Sequence, residues 1–473
     1  MTPAMLMIAY LVSTFLIGLY LTKSNKGVQE FLVAKRELGI VLIIPLLFAE
    51  NIGGASTVGV AAEAYKMGIS SVWVNWSMVV GTFVFLAFVL RFYRVLGSKL
   101  GIMSVPEAFK FMFDNKTRMV MVFIYTVMYS ILYALQPLAA AAILGPMFQV
   151  DTVTMAWILS LVFIVLTVTG GLKGLAWMNV VHSSIMYTGL AVVAWLAVSF
   201  AGGMPQMEAK LPAAFSSYLQ PDFWTIVGTV VGVAVSYFAS PTLAGICFGA
   251  KSKKAAYWGI LFGALLVVPF SLFPAWIGMA AKVQLPQIAS SKALFSVSVA
   301  LGPWAGGIAS MAVIGAIFST APALLLVVAT TMTRDLYKGI YKPDASEIEQ
   351  LRFSQGIIIV IGLICTYFGL NVTSIMGQVA GAFQVRAIAG LVLAVALFWP
   401  RVNNTAAFWS MFVGGVLAAG WHFAGNPLGI APVWPSLSVG IVLLVGLTLA
   451  GPNAPSPGYE KYQALSREAG DDI

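Results

Sequence analysis

The chain has 473 residues, of which 60% are hydrophobic and 9% are charged, and its mean hydropathy is +0.93. A soluble domain of this composition would lack a polar surface, so an integral membrane protein is predicted. The net charge of +9 comes from 26 basic against 17 acidic residues. Basic residues gather in the cytoplasmic loops of membrane proteins, so this charge does not require a nucleic-acid partner.

The first apolar stretch begins near Met5 and ends near Thr22. It lacks the basic segment that precedes the apolar part of a signal peptide, and four basic residues follow it between positions 23 and 36. A retained span with a cytoplasmic exit is therefore predicted. The two cysteines, Cys247 and Cys365, lie in apolar runs without the spacing of a zinc site or a disulfide framework.

A helix needs roughly 20 apolar residues to cross the hydrocarbon core of a bilayer. Thirteen windows of this kind follow one another, which predicts an all-α polytopic fold. They run from Ala4 to Leu21, Leu38 to Tyr65, Ser71 to Leu90, Met119 to Leu144, Val153 to Val168, Asn179 to Ala201, Trp224 to Phe248, Tyr257 to Ala281, Pro303 to Met332, Phe353 to Leu370, Ile375 to Pro400, Ala407 to Phe423 and Leu437 to Leu449.

The loops between these windows alternate in charge. With the N-terminus outside, all but five of the 26 basic residues fall on the cytoplasmic side. Lys66, Lys210, Lys282 and Lys292 fall in outside loops, and Arg386 lies within a span. The alternation predicts a multi-pass protein of a bacterial-type inner membrane, with the C-terminus in the cytoplasm.

Two spans are interrupted by polar and glycine residues. The second contains Ala49 to Thr57, and the seventh contains Ser236 to Thr242 with a proline at 241. Such breaks free backbone carbonyls at the midplane in secondary transporters, although glycine packing and a proline kink are the structural alternatives. Their separation of five spans predicts two inverted five-helix repeats. Residues 1–37 are predicted to form the first span and a cytoplasmic loop, 38–202 the first repeat and 203–402 the second, inverted repeat. Residues 403–450 are predicted to form two accessory spans and 451–473 a cytoplasmic tail.

The ninth span brings two hydroxyls into an otherwise apolar helix. Ala316, Ser319 and Thr320 lie at i, i+3 and i+4 and so share one helix face. Two hydroxyls and the carbonyls freed by a helix break can coordinate Na⁺ without a carboxylate. The alternative is that each hydroxyl bonds back to a carbonyl of its own helix.

Several stretches carry a family resemblance. They are GAIFSTAPALLLVVATTMTRDLY from Gly315 to Tyr337, the Gly170-Gly171-Leu172 turn with WMNVVH after it, FGAKS at the end of the seventh span, and FWPRVNNTAAFWSMFVGG after the eleventh. The chain resembles the sodium:solute symporter family over nearly all of its spans. The resemblance implies a leucine-transporter-type core of ten helices and a sodium site between the second and ninth spans. That site would be formed by the carbonyls of Ala49, Ile52 and Ala316 and the hydroxyls of Ser319 and Thr320.

The sequence departs from the family at positions where a carboxylate is common. Asn179 stands where relatives often have Asp, His182 replaces a common Gln, and Asn51 stands where the proline carriers have Asp. A second sodium site that depends on Asp is therefore not expected, and one coupling ion is predicted.

Two ionisable residues lie within the predicted core, where charge is costly and usually functional. Arg386 is a candidate for binding a substrate carboxylate, and Glu50 for lying beside the ion or binding a cationic group. Alternatively, the two side chains pair with each other or with other polar groups. The remaining cavity candidates come by position from the sugar and proline carriers: Asn51, Ser56, Asn75, Ser240 and Gln378.

These features predict a secondary symporter that uses the sodium gradient to import a small polar solute, a carboxylate if Arg386 contacts it. No metalloprotease, serine-hydrolase or paired-carboxylate pattern predicts an enzyme. The sparse polar residues cluster at the breaks instead of lining a continuous pore, which disfavours a channel. Proton coupling through Glu50 and a non-transporting solute sensor remain as alternatives.

Overall fold

The computed structural model describes residues 3–21, 27–370, 375–425 and 427–470. Across these ranges the regular structure is helical, and the β contact found there is an isolated bridge between Leu38 and Ala250. The predicted all-α class is confirmed.

The helices of the first half are α1 Pro3–Leu21, α2 Val28–Val33, α3 Ile40–Asn51, α4 Val60–Met67, α5 Trp73–Phe88, α6 Leu90–Leu100, α7 Val105–Met112, α8 Asn115–Phe148, α9 Thr152–Phe200 and α10 Met204–Lys210. The helices of the second half are α11 Phe223–Tyr237, α12 Pro241–Gly249, α13 Lys253–Phe270, α14 Leu272–Gln284, α15 Ala293–Ala300, α16 Pro303–Thr331, α17 Glu347–Gly369, α18 Ile375–Phe398, α19 Asn404–Phe423, α20 Val433–Leu449 and α21 Pro457–Glu468.

Seven helices in the described ranges are long and apolar enough to cross a membrane, and four shorter apolar helices accompany them. This count does not reproduce the thirteen predicted spans, partly because some helical segments contain two of them. The clearest case is α9, whose 49 residues exceed the roughly 20 needed for one crossing. It is interrupted at Gly171, where φ is +54°, and this glycine separates the predicted fifth and sixth spans. A Cβ there would lie 2.8 Å from the Phe31 carbonyl oxygen.

Both predicted helix breaks are confirmed. Helix α3 ends at Asn51, Ile52 adopts an extended conformation, and the chain resumes as a π-helix over Ala55–Gly59. In the second break, Ser240 caps α12 by accepting a hydrogen bond from the Leu243 N–H, and Pro241 occupies the first turn, where its missing N–H costs nothing.

Helix α16 is the central element of the packing. It lies against α9, α8, α1 and α3, and 78% of the residues in its most apolar 18-residue stretch are buried. Helix α3 packs on α13 and α9, while α11 packs on α5 and α18. Residues of both broken segments line the same cavity as residues of α8, α16 and α18.

The end of α16 is anchored by a buried ion pair. The Arg118 Nε lies 2.8 Å from the Asp335 Oδ1, and these side chains are 2% and 0% exposed. The Ser104 hydroxyl donates to the other Asp335 oxygen at 2.7 Å. The pair thus ties α8 to the helical extension beyond α16 and to the loop before α7.

Replacing Asp335 with Asn is expected to destabilise the protein by about 3–5 kcal/mol, because it leaves the buried Arg118 charge unpaired. The measurement is the free energy of unfolding of the purified protein in a detergent titration. The matched control is Glu37→Gln, since Glu37 pairs with Lys173 at 2.8 Å but is 57% exposed. The hydrogen bond from Lys173 lowers the pKa of Glu37, so the small stability from this pair is present near neutral pH and lost as the pH falls. Equal losses in the two variants would contradict the anchoring role of Asp335.

Candidate ion and solute sites

Four of the five predicted sodium ligands, all except the Ile52 carbonyl, lie close together where α3 ends beside α16. The Ser319 hydroxyl lies 2.9 Å from the Ala49 carbonyl oxygen and 2.8 Å from that of Ala316. The Thr320 hydroxyl lies 3.4 Å and 2.9 Å from the same two oxygens. The back-bonding alternative is therefore seen within α16, but both hydroxyls also reach across to α3.

The oxygen set suits a small monovalent cation. Four neutral oxygens from two helices converge, and the extended conformation of Ile52 takes its carbonyl out of the helical pattern. Among the described residues, no group of three or more His, Cys, Asp or Glu side chains could hold a metal ion. Neutral hydroxyl and carbonyl oxygens are ligands for hard cations, and a set without carboxylate favours a single positive charge. A side chain at Gly53 would crowd this site, since a Cβ there would lie 3.3 Å from the Thr320 hydroxyl.

A cavity of about 1270 Å³ lies beside this oxygen cluster. Its wall includes both helix breaks and parts of α8, α15, α16 and α18. Three of the lining residues are charged: Glu50, Lys292 and Arg386. Thr320 also lines the cavity, so the candidate ion and solute sites adjoin each other.

Arg386 is held in place by hydroxyl groups from two other helices. Its Nη1 donates to the Tyr129 hydroxyl at 2.6 Å, and its Nη2 donates to the Ser236 hydroxyl at 3.1 Å. The guanidinium also lies 5.7 Å from the Tyr237 ring centre and 5.3 Å from that of Phe383. An arginine has five N–H donors, so three have no partner among the described residues, including the buried Nε–H.

Glu50 and Arg386 do not form an ion pair with each other. Glu50 is partly exposed, lines the cavity and shares a hydrogen bond with the Thr242 hydroxyl. Asn51 also lines the cavity, and its Oδ1 accepts a hydrogen bond from the Tyr237 hydroxyl at 2.9 Å. These two bonds join the first helix break to the second.

The remaining solute candidates are placed differently from one another. Ser56 and Ser240 line the cavity. Asn75 lies behind the lining, where it is fully buried and its Nδ2 donates to the Ser56 carbonyl at 3.1 Å. Asn75 thus supports the first break in this structure, and its predicted contact with the solute stays a prediction. The Gln378 side chain lies outside the described residues.

Sequence reasoning missed the partners of these charged groups: Tyr129, Ser236, Tyr237 and Thr242. Gln136 also lines the cavity. A signal was present in α8, where Tyr129, Leu132, Gln136, Ala139 and Ile143 repeat at helical spacing along one face. Ser236 and Tyr237 lie within the predicted break, but no sequence pattern indicates which way their side chains point.

The profile of the sodium:solute symporter family matches residues 31–414. The chain belongs to this family. The family transports solutes together with Na⁺ and is not a family of enzymes.

Similar relatives lie within the sodium:solute symporter family. The chain is 23% identical to the sodium/proline symporter of Escherichia coli K12, over 96% of this chain and 93% of that protein. It is 26% identical to the sodium/pantothenate symporter of the same strain, over 93% and 95%. It is 24% identical to the sodium/glucose cotransporter of Vibrio parahaemolyticus, over 83% and 79%. These relatives carry different solutes, so similarity alone does not select one.

Solved structures of cation-coupled transporters share the fold. A Na⁺-coupled sialic acid symporter in a substrate-bound, outward-open state aligns with a TM-score of 0.83 at 16% identity, over 95% of this chain and 97% of that one. Mhp1, a nucleobase-cation-symport-1 family transporter in a closed conformation, aligns with a TM-score of 0.62 at 16% identity, over 92% and 98%.

The two departures from the family on α9 lie deep in the protein. Asn179 is 1% exposed, and neither of its amide atoms has a hydrogen-bond partner among the described residues. His182 is fully buried and its Nδ1 lies 2.5 Å from the Tyr10 hydroxyl. The histidine is thus packed between α9 and α1.

Proposed function

We propose that this chain is a symporter that uses one Na⁺ to drive the import of a small polar solute bearing a carboxylate. The observation that carries the proposal is the adjacency of two differently built sites at one cavity. One is the neutral oxygen cluster of Ala49, Ala316, Ser319 and Thr320. The other is the buried Arg386 guanidinium with three unpartnered N–H donors among the described residues.

The proposed sodium site comprises the carbonyls of Ala49, Ile52 and Ala316 and the hydroxyls of Ser319 and Thr320. Its ligands come from the broken α3 and from α16, so binding draws the break against the central helix. The solute then meets the same break through Asn51 and Ser56. Binding of either species thus favours an arrangement of the break that suits the other, which is the requirement for coupled transport.

The proposed solute site has Arg386 as its anion-binding group. A guanidinium binds a carboxylate through two parallel N–H bonds, and its attraction is strong where water is excluded. Asn51, Ser56, Ser240 and Gln378 would offer hydrogen bonds to the rest of the solute, while Glu50 would receive a donor or cationic group. The test is competition for uptake in proteoliposomes by pairs of compounds that differ only in carrying a carboxylate or its amide. Equal competition by both members of every pair would refute a carboxylate solute.

The proposed topology places the N-terminus outside and the C-terminus in the cytoplasm. The cavity lining then extends outward to Ser291, Lys292 and Pro303. At the other end of the broken helices, the Leu38 N–H donates to the Gly249 carbonyl and Arg94 donates to the Cys247 and Ala250 carbonyls at 2.8 Å. Alternating access would require these inner contacts to open as the outer cavity closes, with the inverted repeats 38–202 and 203–402 moving against each other.

Lys292 at the outer end of the cavity is expected to attract an anionic solute. Replacing it with Gln is expected to lower kcat/KM for uptake severalfold without changing kcat, because the charge assists approach and not translocation. The effect should fade as ionic strength rises. The matched control is Lys210→Gln, another exposed lysine of an outside loop that does not line the cavity. A salt-independent loss, or an equal loss in the control, would contradict this role.

A further inference from the structure

A second concave site, separate from the transport cavity, lies on the surface between α8 and α19. It is a groove of about 730 Å³, and its two walls are the first turns of these helices. The groove shares none of its lining residues with the transport cavity. The predicted spans Met119 to Leu144 and Ala407 to Phe423 would place this helix surface against lipid.

The groove is polar at one end and aromatic along its length. Asp114, Lys116, Asn404 and Thr405 lie where the two helices begin. Phe123 lies seven residues after Lys116 on α8, and Phe412 lies eight residues after Asn404 on α19. At 1.5 Å per residue these aromatic rings are about 10–12 Å below the polar end, within the roughly 15 Å hydrocarbon depth of one leaflet.

The aromatic side chains of the walls are partly exposed. Phe123 is 66% exposed, and Trp409 and Phe412 are 45% and 44% exposed. Lys116, Asn404 and Thr405 have no hydrogen-bond or ion-pair partner in the described part of the chain. Asp114 uses one carboxylate oxygen to cap α8 through the Thr117 N–H and hydroxyl, and its contacts leave the second oxygen free.

We propose that this groove binds one phospholipid with a zwitterionic phosphoethanolamine headgroup. Lys116 and the N-terminus of α19 suit the phosphate, since helix N-termini and ammonium groups both attract anions. The free Asp114 oxygen suits the ammonium group of the same headgroup. An acyl chain then lies along Phe123, Trp409 and Phe412 and covers their exposed faces.

The charges at the polar end favour this headgroup over a purely anionic one. Asp114 and Lys116 lie on either side of Asn115 in the sequence. The groove therefore presents a negative and a positive charge close together. An anionic lipid would gain the attraction of Lys116 but meet the repulsion of Asp114. A zwitterionic headgroup matches both charges, which is electrostatic complementarity of the kind that sets specificity.

The lipid would contact helices that also position the solute site. Helix α8 carries Tyr129, which holds Arg386, and helix α19 packs on α18, which carries Arg386 itself. A bound acyl chain between α8 and α19 would therefore stabilise the packing of the helices that hold the Arg386 guanidinium. The lipid site does not depend on which solute is carried.

The test is native mass spectrometry of the purified full-length protein, titrated with phosphatidylethanolamine or phosphatidylglycerol of identical acyl chains. Wild type is expected to bind one phosphatidylethanolamine about fivefold more tightly than phosphatidylglycerol, as one surface charge near a headgroup is worth about 1 kcal/mol. Asp114→Asn combined with Lys116→Gln should remove this preference, and Asn still caps α8. The matched control is Glu460→Gln with Lys461→Gln, an exposed pair of charges on α21.

A second readout is independent of the charge variants. Phosphatidylethanolamine with brominated acyl chains should quench tryptophan fluorescence less in Trp409→Phe than in wild type, because Trp409 would contact the chain directly. Equal affinity for the two lipids in wild type, or a preference unchanged in the double variant, would overturn the proposal. So would a dimer that buries Trp409 and releases the lipid, since a second copy of the chain would then occupy the groove.

Discussion

Replacing Ser319 and Thr320 together with Ala is expected to abolish sodium binding in the measurable range. Each hydroxyl faces carbonyl oxygens of both α3 and α16, so each loss removes one of the few neutral ligands of a dehydrated cation. A hydrogen bond or dipole to a charged group is worth about 1.5–3 kcal/mol, which is roughly 10- to 100-fold in affinity per hydroxyl. The measurement is equilibrium binding of radioactive sodium to the purified protein without solute.

The matched control for this double variant is Thr330→Ala. Thr330 lies on the same helix and donates to the Leu326 carbonyl at 2.7 Å, but it does not line the cavity. Its loss removes a back-bonded hydroxyl without touching α3, and sodium binding should be unchanged. If Ser319→Ala with Thr320→Ala binds sodium as tightly as wild type while remaining folded, these hydroxyls are not ion ligands.

Replacing Arg386 with Gln is expected to reduce uptake of the solute by about 100-fold or more, since losing one partner of a buried charge interaction costs about 2–5 kcal/mol. Arg386→Lys should rescue little, because an ammonium cannot reproduce the planar fork held by Tyr129 and Ser236. The measurement is the uptake rate in proteoliposomes as a function of solute concentration.

Two controls separate solute binding from misfolding in the Arg386 variants. Sodium binding should persist in Arg386→Gln, because none of the proposed ion ligands contacts the guanidinium. The preference for a carboxylate compound over its amide should disappear in that variant. Retained preference for the carboxylate in Arg386→Gln would show that another group binds it.

The sequence was sufficient to predict the elements whose signals are local. The break at Ala49 to Thr57 and the break at Ser236 to Thr242 were visible as polar residues in apolar runs, and both are helix interruptions in the structure. The pairing of Ser319 and Thr320 with Ala49 followed from the family resemblance and is present at hydrogen-bond distance. The number of spans stays a prediction, because helices such as α9 contain two predicted spans separated only at Gly171.

The environment of Arg386 could not be predicted because it depends on contacts between distant segments. Tyr129 lies 257 residues away along the chain and Ser236 lies 150 residues away. No periodicity within α18 indicates which helices face it. Asn75 shows the same limit, since the family resemblance gave its position but not its hydrogen bond to the Ser56 carbonyl, 19 residues away along the chain.

We expect the sodium gradient to drive uptake through this chain. The most direct test is uptake of labelled carboxylates and amino acids into proteoliposomes under an inward Na⁺ gradient, an inward proton gradient or neither. Sodium coupling predicts accumulation with the Na⁺ gradient alone and its loss in the variant lacking the Ser319 and Thr320 hydroxyls. Accumulation that follows the proton gradient, persists without those hydroxyls and is lost in Glu50→Gln would contradict it and indicate proton coupling at Glu50.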